Sequence, residues 1–169
     1  MTNTQHPTPA RPTVEAVRAW RAFDLITAAD ETRQPELAWD QHSYRTECGT
    51  GCCYAGHLAI DNGGVWLITI TPDAMLIDGT PIDPTALDTD HDPWQYLIAE
   101  PADPEHAIEE THGKRVIHVS ARADRLLGLS SAEHILYDGS NTRPKLEELI
   151  TRRFGPRPML VGAHANEGS

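Results

Sequence analysis

The sequence predicts an α+β domain with helices at both ends around a small, mostly antiparallel sheet. Three observations carry that prediction. Residues 14–30 set Ala16, Ala19, Trp20, Phe23 and Ile26 at helical spacing, with Arg18 and Arg21 off that face. The middle of the chain breaks into short β-rich runs separated by turn residues, with Asp78-Gly79 as a two-residue hairpin signal. The last third returns to helix signals, with Leu146, Leu149, Ile150 and Phe154 on one face. At 169 residues the chain is long enough to bury one core without covalent staples. We expect a globular part over residues 13–155, flanked by disordered tails at 1–12 and 156–169.

Taken in order, Thr13 reads as an N-cap for the first helix, which Pro35 ends. Residues 36–40 then read as a short helical turn carrying Trp39. Thr50 is placed to cap a helix over 51–60, closed by Asn62-Gly63-Gly64. Residues 65–71 (VWLITIT) read as one strand, and 74–77 with 80–82 as a hairpin whose second strand Pro81 confines to an edge. Residues 83–104 read as a loop interrupted by an apolar patch at 94–99, and 105–112 as a short helix. Residues 115–119 (RVIHV) read as a strand of the same sheet. Ser120 then caps a helix to Leu127 with Gly128 beyond its end, and Ser130 with Glu133 forms a capping box for a helix reaching Tyr137. Thr142 with Pro144 opens the last helix, and Gly155-Pro156 closes it.

The formal net charge is −11, unevenly distributed. Residues 46–113 contain thirteen Asp and Glu and no Lys or Arg, whereas the remainder holds twelve acids and fourteen bases. A surface that binds DNA or RNA unspecifically needs the opposite sign, so direct nucleic-acid binding is not expected. No apolar run reaches the roughly 18–20 residues that cross a bilayer, and the polar, Pro-rich start lacks a secretory apolar region. The expected setting is cytoplasmic, with no membrane partner. Cys48, Cys52 and Cys53 are too few and too clustered for a disulfide framework.

Four constellations could carry chemistry. Cys48 and Cys53 with His57, one helical turn beyond Cys53, could supply three zinc ligands, with His42 or His118 as a fourth. Cys52 or Cys53 at a helix N-terminus could instead be a thiolate nucleophile, with His118 as base; Cys53 and His118 are the catalytic pair this reading names. Close helix packing by small Cys, Ala and Gly residues is the plainer explanation of the same segment. Asp88-x-Asp90-x-Asp92 has the spacing that opens a calcium loop, yet Pro93 and Ala99 stand where that loop needs Gly and Glu. Finally, Asp73, Asp78, Asp83, Asp88, Asp90 and Asp92 could present an acidic surface to a basic partner protein, in the extreme as a mimic of nucleic-acid phosphates.

Two segments carry a resemblance. Trp39-Asp40-Gln41 followed by Cys48-Gly49-Thr50-x-x-Cys53-x-Ala55-Gly56 resembles a pattern in small, uncharacterised proteins of actinobacteria and their phages. So does Ala123-x-x-Leu126-Leu127-Gly128-Leu129 with Ala132, Leu136-Tyr137 and Asn141-Thr142. The resemblance implies an actinobacterial or phage source and an intracellular setting, and makes Cys48 and Cys53 the matching cysteines. At the place of His57 that pattern often has Trp. It implies no activity. The function expected from these readings together is a non-enzymatic accessory protein of phage type. It would bind a host or phage protein through its acids and need no cofactor; the rival is a thiol- or zinc-dependent enzyme.

Overall fold

The computed structural model describes residues 11–32, 37–87, 89–104, 108–109 and 112–159. Helix α1 (Val14–Thr32) is capped by Thr13, whose hydroxyl accepts the Ala16 amide at 3.1 Å. Its buried face is the expected one, Ala16, Ala19, Trp20, Phe23 and Ile26, with Ala22 added. The next element departs from expectation: Ala38–Trp39 is a short strand, β1, not a helical turn. It pairs in parallel with β2 (Gly51–Cys52), held by Ala38 N–H to Thr50 O at 2.7 Å and Asp40 N–H to Cys52 O at 3.0 Å.

That pairing moves the start of the second helix. Helix α2 (Tyr54–Asp61) begins three residues later than the sequence predicts, with Cys53 at its N-cap. Residues Tyr54 to Ala59 are all buried, because α2 runs through the centre of the molecule between α1 and the later helices. Gly56 lets it approach the β2 segment: a Cβ there would stand 2.6 Å from Cys52 Cβ and 2.9 Å from the Tyr44 carbonyl.

The run VWLITIT is not one strand. Its first half pairs with β6 (Tyr96–Ile98), through the Trp66–Leu97 bridge, Leu67 N–H to Tyr96 O at 3.0 Å and Ile98 N–H to Val65 O at 2.9 Å. Its second half, β3 (Thr69–Ile70), opens an antiparallel sheet with β4 (Met75–Ile77) and β5 (Thr80–Ile82). Asp78 (φ 50°) and Gly79 (φ 78°) make the predicted turn with both residues in the left-handed region, and Pro81 sits on the outer strand.

The apolar patch at 94–99 is therefore strand β6, and a separate three-stranded sheet runs β6-β8-β7, with β7 (Ile108–Glu109) and β8 (Arg115–His118). Residues 108–109, read from sequence as helix, are strand; 105–107 and 110–111 lie outside the described residues. Helix α3 (Val119–Leu127) follows β8 without a loop, capped by His118 and not by Ser120, and ends at Gly128 in the left-handed conformation. A 3-10 segment (Ser131–Tyr137) carries the predicted Ser130–Glu133 capping box. Helix α4 (Arg143–Phe154) buries Leu146, Leu149 and Ile150.

The domain is α+β, as expected. Its main core joins α1, α2, α3, the 3-10 segment and α4 around Trp20, Tyr54, Leu58, Leu127, Leu136 and Ile150. A second cluster of Leu67, Ile68, Ile77, Tyr96 and Val116 lies beneath the strands. Ala59, Leu97, Ile117 and Val119 form a third between them. Among the described residues no helix is long and apolar enough to cross a membrane.

Candidate functional site

Folding redistributes the linear charge asymmetry. Asp61 pairs with Arg21 of α1 at 2.5 Å, and Asp78 with Lys114 at 3.1 Å. Glu100 and the fully buried Asp103 side chain meet Arg122 and Arg125 of α3. Among the described residues, four acids of the 46–113 stretch thus take counter-charges from outside it. Asp78, expected on the acidic surface, is one of them, and Asp88 lies outside the described residues. Glu47, Asp73, Asp83, Asp90 and Asp92 are exposed, with no ion pair among the described residues.

Four of these five acids border two open grooves on the strand side. One, of about 870 Å³, lies between the 47–50 turn and the β3–β4 connection, with Glu47 and Asp73 beside Ile70 and Met75. The other, of about 400 Å³, follows the loop before β6, with Asp90, His91, Asp92, Leu87, Pro93 and Trp94 along it. Local hydrogen bonds orient Asp83 and Asp92. Asp83 accepts the Thr85 amide at 3.0 Å, which with the Thr85 hydroxyl holds its carboxyl below the usual carboxylate range. Asp92 accepts the Gln95 side-chain amide at 3.1 Å.

The cysteines separate into two environments. Cys48 is exposed, and hydrogen bonds to the Thr46 and Thr50 hydroxyls bring its thiol down to about 7. Cys52 and Cys53 are buried, which pushes Cys53 up to about 11 and Cys52 well above the ordinary thiol value. Cys53 does stand at the N-cap of α2, where the first-turn amides favour its thiolate, but loss of solvent disfavours the thiolate more than those amides favour it. Cys53 and His118 both border Tyr44, whose hydroxyl burial and the nearby Cys53 push upward, but a fully buried, protonated thiol is a packing group and not a poised nucleophile.

The zinc set is not assembled. Among the described residues no three His, Cys, Asp or Glu side chains converge as a metal site. His57 is buried, its Nε2 lies 3.4 Å from the Ala38 carbonyl, and burial lowers its pKa. His42 is exposed beside Asp40, with 3.6 Å between Nδ1 and Oδ1.

The structure gathers a group of polar side chains that no linear spacing announces. His118 lies under a ring of Tyr44 (4.7 Å between centroids), His91 (4.4 Å) and Tyr96 (5.4 Å). Its Nδ1 is 2.7 Å from the Ser120 hydroxyl. One turn along α3, Asp124 is buried near Tyr137, whose hydroxyl burial, with the nearby Asp124 charge, pushes well above its ordinary value. Arg45, which no sequence pattern singles out, is buried without a carboxylate partner among the described residues. It donates to Ile68 O at 2.9 Å and Trp94 O at 3.1 Å, stacks on Trp66, and is lowered by burial to about 10. It thereby ties the loop before β2 to Ile68 and Trp94.

The two segments that carry the resemblance meet at Gln41. Its Oε1 accepts Trp39 Nε1 at 3.0 Å and the Tyr54 amide at 3.2 Å, while its Nε2 donates to Leu136 O at 3.1 Å and Asp138 O at 3.2 Å. Their residues thus have a structural task, joining the β1 segment to the 3-10 segment. Comparison of the chain with protein-family models, with curated proteins and with solved structures finds no match.

Proposed function

We propose that this protein is a non-enzymatic accessory protein, of the kind made by actinobacterial phages or their hosts, that binds a partner protein with a basic surface. The supporting observation is that Glu47, Asp73, Asp83, Asp90 and Asp92 remain exposed and without ion pairs among the described residues, although bases from the rest of the chain neutralise other acids of the same stretch. The Asp92 carboxylate, held by the Gln95 amide along its groove, loses little freedom when a cation arrives. The buried state of Cys53 and the absence of a converged metal set among the described residues leave the thiol- or zinc-dependent reading with less support.

The test is affinity capture from an actinobacterial lysate at two salt concentrations. It compares the native chain with a variant in which Glu47 becomes Gln and Asp73, Asp83, Asp90 and Asp92 become Asn. The reading expects a protein retained at low salt by the native chain and lost from the variant. Equal capture by both would remove it.

A further inference from the structure

Helix α4 ends at Phe154, and the four residues that follow, Gly155-Pro156-Arg157-Pro158, cannot continue it. Gly155 turns the chain at φ 84°, a conformation that a side chain resists. Each proline fixes its own φ at about −65° and holds the residue before it extended. Arg157 is thereby presented from a stiff segment that has few conformations to lose.

That segment lies across α1. Trp20 Nε1 donates to the Gly155 carbonyl at 3.2 Å. The Arg157 guanidinium stands 5.0 Å from the Trp20 ring centroid and 5.8 Å from that of Phe23, and its Nη1 pairs with Asp24. The two rings meet edge to face, 5.8 Å between centroids. Beside them, Val17, Trp20, Asp24 and Leu25 of α1 face Arg157 and Pro158 across an open groove of about 600 Å³. Val17, Trp20 and Asp24 form one stripe because they recur at intervals of three and four along the helix. Arg21 shares the stripe but is turned to Asp61.

We infer that this face of α1 is a recognition site for an extended, proline-flanked arginine, and that the chain's own 155–158 segment occupies it in cis. Each part of such a ligand has a counterpart. The Trp20 indole takes a backbone carbonyl, and the aromatic pair with Asp24 takes the guanidinium by its face and by its N–H groups. The groove wall of Val17 and Leu25 is apolar and takes a proline ring. The contacts holding the segment are superficial: the Arg157 and Asp24 side chains are 49% and 52% exposed, and exposed pairs hold weakly. A second segment of the same chemistry, offered in trans, therefore competes for the face. This site uses none of the strand-side acids and stands independently of the docking proposed above.

The probe is the capped peptide acetyl-Gly-Pro-Arg-Pro-amide, titrated into labelled protein while the Trp20 indole N–H is followed by NMR. Binding to the native chain is weak, because the tethered segment competes. In Arg157→Ala, which vacates the face, affinity rises about 10-fold. Adding Asp24→Asn to Arg157→Ala removes the gain, and a peptide with Lys in place of Arg binds less tightly than the Arg peptide. Equal affinity for the native chain and Arg157→Ala, or a Trp20 signal that does not move in Arg157→Ala, overturns the proposal. Loss of the fold in Arg157→Ala, read from its urea midpoint, also overturns it, since a segment the fold requires is not displaceable. Dimerisation of the native chain that Arg157→Ala abolishes would place the segment on a second copy and overturn occupation in cis. None of these variants touches the strand-side acids, so failure here leaves the docking reading standing.

Discussion

Replacing Arg122 by Ala is expected to destabilise the fold by about 3–5 kcal/mol, the cost of leaving a buried charge without its partner. Arg122 is 1% exposed. Its Nε donates to both Asp103 oxygens at 2.8 and 3.0 Å, its Nη1 to Glu100 at 2.8 Å, and its Nη2 to the Ile98 carbonyl at 3.0 Å and to Asp103. Truncation leaves the Asp103 carboxylate, whose side chain is fully buried, with Arg125 at 2.8 Å and the Glu100 amide at 2.7 Å as its partners among the described residues. It also orphans the Ile98 carbonyl at the end of β6. Against a typical domain stability of about 5–15 kcal/mol, that loss takes a large share. Urea unfolding followed by tryptophan fluorescence measures it. The double change Arg122→Met with Asp103→Leu removes both charges at similar volume and is expected to regain most of the loss. A loss below about 1 kcal/mol for Arg122→Ala, or a double variant no better than the single one, would refute the claim that this pair fixes the 98–104 segment to α3.

Asp103 also gives the fold a dependence on pH. Burial raises its pKa, but the Arg122 hydrogen bonds, the Glu100 amide and the charges of Arg122 and Arg125 outweigh it, and the net shift is downward. A carboxyl depressed in the folded state contributes stability above its unfolded pKa of about 3.9, and the contribution is lost as pH falls through the folded value. Stability curves of the native chain and Asp103→Asn should therefore converge below about pH 4; parallel curves would contradict it. Cys48 should alkylate with iodoacetamide at neutral pH while Cys52 and Cys53 react only on unfolding, as peptide mass spectrometry can show. Thr50→Val should slow Cys48 by raising its thiol toward the ordinary value. Gly56→Ala should cost about 1–3 kcal/mol in the same urea assay, because the added methyl meets Cys52 and the Tyr44 carbonyl.

Where local chemistry decided the outcome, the sequence was sufficient by itself. The Thr13 cap, the Asp78-Gly79 turn, the edge position of Pro81, the Ser130–Glu133 capping box and the Gly128 stop all lie within a few residues of what they control. So does the buried face of α1, because helical spacing repeats within the element. Partner choice decided the rest. Residues 51–52 have the composition of a helix start but are strand, because the 38–39 backbone takes their hydrogen bonds. The run 65–71 is divided because β6 claims one half and β4 the other. The same holds for chemistry. The clustering of acids is a property of the chain, but which of them remain unpaired depends on where Arg21, Lys114, Arg122 and Arg125 arrive from other elements. Burial agrees with the packing reading of Cys52 and Cys53, but the solvent exclusion at Cys53 is made by helices far along the chain. His118 was visible in sequence as a candidate base. Its place beside Gln95 required β6 to pair with β8, which sets Tyr96 opposite His118, because long-range contacts are set by burial and pairing that no local spacing encodes.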